Sequence, residues 1–146
     1  MFNSLRPRPR SHHQALVLNE AKQVLLIEAG TRRSVLTLPG GAAGRREPPH
    51  LAARRHLEAS TGLVRALHCL LIVDFVGARP FQFVHWGGQL DPDQAAEVAR
   101  RSSLHWVDED SLPEVVAPDD LRRISHALAF LAWQAMLPAL VHGMRP

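Results

Sequence analysis

The chain has 146 residues, of which 46% are hydrophobic and 21% charged, with a single cysteine, Cys69. This composition predicts one globular domain, because disordered chains are poorer in apolar residues and this length is enough to bury a core. It excludes an intramolecular disulfide framework and a cysteine-based zinc knuckle. No apolar signal-peptide core follows the N-terminal arginines, and the longest apolar stretch, residues 127–141, is short for a membrane span. We therefore expect a cytoplasmic protein without a membrane partner.

The net charge is +3, from 17 basic and 14 acidic residues, and Lys22 is the one lysine among the basic residues. Arginine is a good bidentate partner for phosphate and carboxylate. Arginine enrichment beside many alanines and prolines is also typical of a codon bias, which we favour as its origin. Aromatic residues do not interleave with the Arg-Arg pairs, so a nucleic-acid partner is not expected.

The first elements follow from turn residues and apolar runs. Residues 1–12 are predicted to form a flexible arm, because prolines separate their arginines, and residues 13–142 are predicted to form the domain. Apolar runs at 15–18 and 24–28 predict a hairpin, and residues 35–38 predict a third strand that stops at the following Pro-Gly-Gly.

The later elements alternate between helices and strands. Pro49–Ser60 is predicted to be helical, because proline begins the segment and Gly62 follows its end. The remaining segments are predicted strands at 66–76, 81–86 and 104–107, a helix over 91–101, and a final helix from 118 to about 141. This order predicts an α/β or α+β domain with a mixed sheet.

The most specific pattern in the chain runs from Leu38-Pro39-Gly40-Gly41 to Gly62-Leu63. It resembles the Nudix box, whose required positions are occupied, without a gap, by Gly41, Glu47, Arg55, Leu57, Gly62 and Leu63. The resemblance implies a single Nudix-like domain, an α/β/α sandwich with a mixed sheet. It also implies a pocket for a nucleoside diphosphate derivative or another diphosphate-like or anionic small molecule.

The resemblance assigns roles to the residues that are kept. Glu47 and Arg55 match a family salt bridge that holds the loop against the helix, so we expect a structural pair. Gly40 and Gly41 match a ligand-binding loop with unusual backbone angles, in which a backbone carbonyl touches metal in the family.

The family's metal-binding glutamates are missing. Their positions, which share one helical face, hold His56, Ala59 and Ser60. Glu58 does not replace them, because it lies about 200° round the helix from His56. Mg²⁺ and Mn²⁺ prefer oxygen ligands. We therefore predict no metal ligands in the box, no certain cofactor, and a weak or absent dependence on Mg²⁺ or Mn²⁺.

Histidines and one tryptophan are the remaining candidates. His56 and His85 are candidate catalytic acid–base groups, although drift at an abandoned metal position is the simpler explanation of His56. His13 and Trp86 are candidate ligand-binding residues, and Trp86 is equally explained as a core residue. Strand alternation predicts that His85 and Trp86 point to opposite faces, so that one of them faces the cleft.

Two functions stay open. The first is an atypical small-molecule enzyme that does not use standard Mg²⁺-dependent hydrolysis, and the second is a catalytically inactive ligand-binding or regulatory module. Histidines that share one cavity would favour the enzyme, and a cavity without an acid, a base or a metal would favour the module. The final helix is apolar on nearly every side, so a homodimer contact through it is a reasonable expectation.

Overall fold

The computed structural model describes residues 10–30, 32–67, 69–75 and 81–136. Within these ranges seven strands form one sheet. The strands are β1 (His12–Leu18), β2 (Val24–Ala29), β3 (Arg32–Thr37), β4 (Gly40–Ala42), β5 (Cys69–Asp74), β6 (Gln82–Gln89) and β7 (Leu104–Val107). The helices are α1 (Pro49–Thr61), α2 (Pro92–Ala99), α3 (Leu112–Val115) and α4 (Pro118–Met136), with a 3₁₀ turn at Glu109–Ser111.

Strand β1 lies at the centre of the sheet. The strands run in the order β3-β2-β1-β6-β5, with β4 paired to β1 and β7 paired to β2. β1 is parallel to β6 and antiparallel to β2 and β4, so the predicted mixed sheet is confirmed. The register aligns His13 with Gly41, which brings the start of β1 beside the glycine loop.

Helices cover both faces of the sheet. Ala15 and Val17 of β1 pack with residues of α1 and α2, whereas Leu16 and Leu18 pack with residues of α3 and α4. Successive residues of a strand point to opposite faces, so an unbroken apolar run is what a strand between two helical layers requires. A fully buried leucine in such a core stabilises the fold by about 1.5–3 kcal/mol.

The ends of α1 and α2 are set by their local capping residues. α1 begins at Pro49 and ends before Gly62, whose φ of 77° allows its N–H to donate to the Glu58 carbonyl at 2.8 Å. α2 begins after Asp91, whose carboxylate accepts from the N–H of Gln94 while the Gln94 side chain accepts from the N–H of Asp91.

Several predicted boundaries differ from the structure. β1 begins at His12, which the prediction assigned to the arm, while residues 1–9 lie outside the described ranges. The strand predicted over 66–76 is the shorter β5, and residues 76–80 are not described. The short strand β4 was missed, because two glycines in three residues give no strand signal. α4 is described as far as Met136, so its predicted extension to residue 141 lies outside the described ranges.

The surface of α4 bears on two earlier expectations. Among the described residues, no helix combines the length and the apolar character that a membrane span needs. Trp133 is 46% exposed on α4. The homodimer contact through this helix stays a prediction.

Candidate functional site

The loop between β4 and α1 is held by the predicted pair. Arg55 donates from Nε to Glu47 Oε2 and from Nη2 to Glu47 Oε1, both at 2.9 Å. The N–H of Gly44 donates to the same Oε1 at 2.9 Å. These hydrogen bonds to the charged form lower the pKa of Glu47 to about 2, with the Arg55 bond the largest cause. Glu47 thus links the backbone of the loop to the side chain of Arg55 on α1.

The His56 side chain fills the space above Gly41. A Cβ at residue 41 would overlap the His56 ring, so a larger residue there would require that ring to move. His56 Nε2 lies 2.8 Å from the carbonyl oxygen of Ala42, which accepts hydrogen bonds and cannot donate, so Nε2 carries the proton. The imidazole is therefore a hydrogen-bond donor to the glycine loop.

The three positions that hold glutamates in the family offer a poor set of metal donors. His56 uses Nε2 to donate to the loop, Ala59 has no donor atom, and the Ser60 hydroxyl donates to the His56 carbonyl at 2.8 Å. Within the described residues, no three His, Cys, Asp or Glu side chains are arranged to hold a metal ion. The residues present therefore do not fit the Mg²⁺ or Mn²⁺ that the family pattern implies.

Two of the candidate histidines meet on the opposite side of β1 from α4. His13 Nδ1 lies 3.0 Å from His85 Nε2, and His13 Nε2 lies 2.8 Å from the Ser11 hydroxyl. Both rings are buried, and the His13 ring stacks on Phe83 with the ring centres 4.7 Å apart. Burial lowers the pKa of His13 and lowers that of His85 to about 4, with the charge of the neighbouring imidazoles adding to the effect.

His85 also borders a cavity of about 280 Å³. The cavity is lined by Pro49 and His50 at the start of α1, by Leu67 and Leu70, and by His85 itself. His13 and His56 are not among these lining residues. The structure thus joins His13 to His85 and leaves His56 at a separate place, against the glycine loop.

A polar network on the α4 face of the sheet was not foreseen from the sequence. Gln14 Nε2 donates to the Thr37 hydroxyl at 3.2 Å, and Thr37 donates to Asp120 Oδ2 at 3.0 Å. Arg123 then donates to Asp120 Oδ1 at 2.7 Å and to Asp74 Oδ2 at 2.9 Å. This network joins β1, β3 and β5 to the first turns of α4.

Three buried polar atoms in and beside this network have no partner among the described residues. They are His12 Nδ1, Gln14 Oε1 and Arg123 Nε. Burial is the main cause that lowers the pKa of His12, followed by the charge of His56, while Asp120 opposes the shift. His12 is thus close enough to respond to both the box helix and α4. The Pro-Asp-Asp sequence at 118–120 predicts the start of a helix and nothing more. The sequence therefore gives no signal that Asp120 takes part in this polar network.

Trp86 lies on the opposite face of β6 from His85, as predicted. Its indole packs against the α4-side core and borders a cavity of about 400 Å³ with Lys22, Glu109 and Leu128 among the other lining residues. It also borders a second cavity beside Arg65 and Cys69. A role for Trp86 in stacking stays a prediction.

No family model and no curated protein matches the sequence, so the comparison rests on solved structures. A mutT/nudix family protein from Listeria innocua is 17% identical, with a TM-score of 0.71 over 90% of this chain and 98% of the other. A MutT protein from Methanosarcina mazei Go1 is 19% identical, with a TM-score of 0.63 over 90% and 99%. The chain therefore has the Nudix fold.

Two longer proteins share this fold with the chain. A UDP-X diphosphatase is 19% identical, with a TM-score of 0.64 over 90% of this chain and 64% of the other. NrtR of Shewanella oneidensis, solved with a 27mer DNA, is 20% identical, with a TM-score of 0.66 over 86% and 63%. The chain thus spans about two thirds of the length of these two proteins.

Proposed function

We propose that this Nudix-fold protein binds a small molecule with a flat hydrogen-bonding group and an anionic group, without a metal held by the box helix. The hydrogen-bonding group lies at the polar network between the start of β1 and α4. The observation that carries the proposal is the set of unpartnered polar atoms, His12 Nδ1, Gln14 Oε1 and Arg123 Nε. Native proteins leave few buried polar atoms unpaired, so a cluster of them favours a bound ligand or ordered water.

The unpartnered donors and acceptors of this network suit a heterocycle edge. Gln14 Oε1 accepts, Arg123 Nε donates, and His12 Nδ1 does either according to its tautomer. Arg123 is already paired with Asp120 and Asp74, so the network offers no spare positive charge for an anion. A neutral group such as a nucleobase matches it better than a phosphate.

The anionic group is assigned to the box loop and the first turns of α1. Arg45, Arg46 and Arg54 are exposed there, while the loop's own carboxylate, Glu47, is already paired with Arg55. Guanidinium groups bind phosphate oxygens directly. In this proposal the arginines of the box loop supply the positive charge that a metal supplies in the family.

A nucleoside diphosphate is the simplest molecule that combines both groups. The likeness to a UDP-X diphosphatase makes UDP the first probe. We expect UDP to raise the melting temperature in EDTA, because a ligand that binds only the folded state stabilises it. Uridine and inorganic pyrophosphate alone should each give a smaller rise.

A pair of variants locates the binding. Gln14→Ala should lose most of the UDP-dependent rise, whereas Gln89→Ala, at the other end of the sheet, should keep it. A Gln14→Ala protein that responds to UDP like the wild type would remove the α4-side polar network from the proposal. No response to any of these probes in EDTA, with rapid Mg²⁺-dependent cleavage of UDP, would overturn it.

The enzyme hypothesis is the second candidate. The observation that favours it is the hydrogen-bonded pair of His13 and His85 next to a cavity. His56 is a weaker acid–base candidate, because its Nε2 proton is committed to the Ala42 carbonyl.

A further inference from the structure

A chain of three hydrogen-bonding side chains runs through the α1 side of the sheet. Ser11 contacts His13 Nε2, and His13 Nδ1 contacts His85 Nε2, at 2.8 and 3.0 Å. His13 is fully buried and His85 is 4% exposed. The ring nitrogens that form the chain are therefore largely shielded from water.

The inner end of this chain meets a cavity. His85 lines the cavity beside His50, Pro49, Leu67 and Leu70. His85 Nε2 is occupied by His13, so Nδ1 is the ring nitrogen left for a molecule in the cavity. The outer end is Ser11, which is partly exposed at the start of β1.

The two bonds have two consistent directions, because neutral imidazole donates from one nitrogen and accepts at the other. In one direction His85 donates to His13 and His13 donates to Ser11, which leaves His85 Nδ1 as an acceptor. In the other direction Ser11 donates to His13 and His13 donates to His85, which places a proton on His85 Nδ1. Both arrangements keep both rings neutral.

We propose that Ser11, His13 and His85 form a proton relay in which His85 takes a proton from, or returns one to, a ligand in this cavity. This goes beyond the binding proposed at the α4-side polar network, since it concerns the opposite face of the sheet. The ligand class is a weak O–H or N–H acid on a largely apolar body, because the lining is apolar apart from His50 and His85. His85 is the group that touches the ligand, and His13 and Ser11 are positioning residues.

The transfer balances in protons. The ligand gives a proton to His85 Nδ1, and the proton on His85 Nε2 passes to His13 Nδ1. The proton on His13 Nε2 passes to the Ser11 oxygen, whose own proton leaves to bulk water. The ligand ends as its conjugate base, water carries the proton, and neither imidazole has become charged.

The surroundings favour neutral rings. Burial is the main cause that lowers the pKa of both histidines. The charges of His12 and His56 act in the same direction on the pKa of His13, and Glu47 opposes them. His13 and His50 lower the pKa of His85 further. A relay through neutral tautomers therefore matches the state of the pair at neutral pH.

Long-range ¹H–¹⁵N spectra of the imidazole side chains test the relay in the full chain. In the wild type at about pH 7, the ¹⁵N shifts of His85 should show two exchanging neutral tautomers. Ser11→Ala removes one hydrogen bond at the far end and should change the His85 tautomer ratio about fivefold. Ser11→Thr keeps the hydroxyl and should restore the ratio. Ser60→Ala, whose hydroxyl bonds only its own helix, is the matched control and should change nothing.

Chemical labelling tests access to the cavity end. Diethyl pyrocarbonate acylates neutral, accessible imidazole nitrogens, so mass spectrometry should find His85 modified and His13 unmodified at about pH 6. An unmodified His85, a single fixed tautomer, or the same tautomer ratio in the wild type and Ser11→Ala would each overturn the proposal. Neither the imidazole spectra nor the labelling depends on UDP binding. A negative result for the relay is therefore distinguishable from a negative result for the proposed binding function.

Discussion

Arg55 and Arg123 both pair with carboxylates, and the surroundings of the two pairs differ. Arg55 binds Glu47 at the box loop with its side chain 53% exposed. Arg123 binds Asp120 and Asp74 below α4 with its side chain 9% exposed. Exposed ion pairs add little stability, whereas removing one partner from a buried pair leaves a charge without compensation.

The comparison separates an ion pair that belongs to the fold from a polar network that we propose belongs to a ligand-binding site. The Glu47–Arg55 pair ties a loop to a helix whose metal positions hold no carboxylates, so it reports the fold. The Arg123 network leaves Arg123 Nε and the neighbouring Gln14 Oε1 unpartnered within the described part of the chain. An unfilled hydrogen-bonding capacity beside a fixed network favours a bound ligand or ordered water at that place. The pattern that identifies the fold is therefore not the one that locates the proposed ligand.

The largest effect is expected at Arg123. Arg123→Met should lower the free energy of unfolding by on the order of 2 kcal/mol, because it leaves Asp120 mostly buried without its cation. Asp74 remains partly solvated, which limits the loss. Urea unfolding followed by circular dichroism measures the difference.

The adjacent arginine provides the control. Arg122 pairs with Asp119 on the exposed side of α4, so Arg122→Met should change the free energy of unfolding by less than about 0.5 kcal/mol. If both variants lost the same free energy of unfolding, the buried Arg123 network would contribute no more to stability than the exposed Arg122–Asp119 pair.

The next effect is a loss of stability in mild acid. The pKa of His85 in the folded protein, about 4, lies below its ordinary value of 6.5. Between these two pKa values the unfolded chain binds more protons than the folded chain, so acid favours unfolding. The contribution of His85 to the free energy of unfolding is therefore complete above about pH 6.5 and is lost as the pH falls towards 4. The loss attributable to His85 should be on the order of 2 kcal/mol.

The measurement is the difference in unfolding free energy between about pH 7 and about pH 5. His85→Phe should show a smaller difference than the wild type, even if it is less stable at both pH values. His126→Phe, at an exposed position of α4, should keep the wild-type difference. An unchanged difference in His85→Phe would mean that His85 is not held neutral by the fold.

A smaller effect is expected at Glu47, at lower pH. The folded pKa of Glu47 is about 2 and its ordinary value is 4.5. Its stabilisation is therefore complete above about pH 4.5 and is lost as the pH falls towards 2. Glu47→Gln should lower the melting temperature by a few degrees at neutral pH and reduce the dependence on acid. Glu58→Gln, on an exposed position of α1, should do neither.

The fold was predictable because its signals are local in the sequence. The box spacing, Pro49 before the helix, Gly62 after it and the apolar run in β1 each report a conformation of a few neighbouring residues. These signals led to the Nudix fold and to both ends of α1 within one residue. β4 escaped prediction because its pairing with β1, and not its own residues, makes it a strand.

The candidate site was predictable only in part. The absence of carboxylates at positions 56, 59 and 60 could be read from the sequence, since these positions lie within the motif. The contact between His13 and His85 could not, because 72 residues separate them in the chain. Gln14, Thr37 and Asp120 come together from three elements in the same way, and no spacing in the sequence records that approach.

The smallest expected effect concerns Mg²⁺, and it tests whether the box helix is an intact scaffold without ligands. The triple change His56→Glu, Ala59→Glu and Ser60→Glu places three carboxylates on one helical face. In EDTA the variant should be less stable than the wild type, because the carboxylates repel one another and the His56 bond to Ala42 is lost. Millimolar Mg²⁺ should recover about 1 kcal/mol by binding the folded state, and should leave the wild type unchanged. Melting curves and isothermal titration with and without Mg²⁺ measure both effects. A wild-type chain that binds Mg²⁺ as tightly as the triple variant would show that ligands outside the box have replaced the missing glutamates.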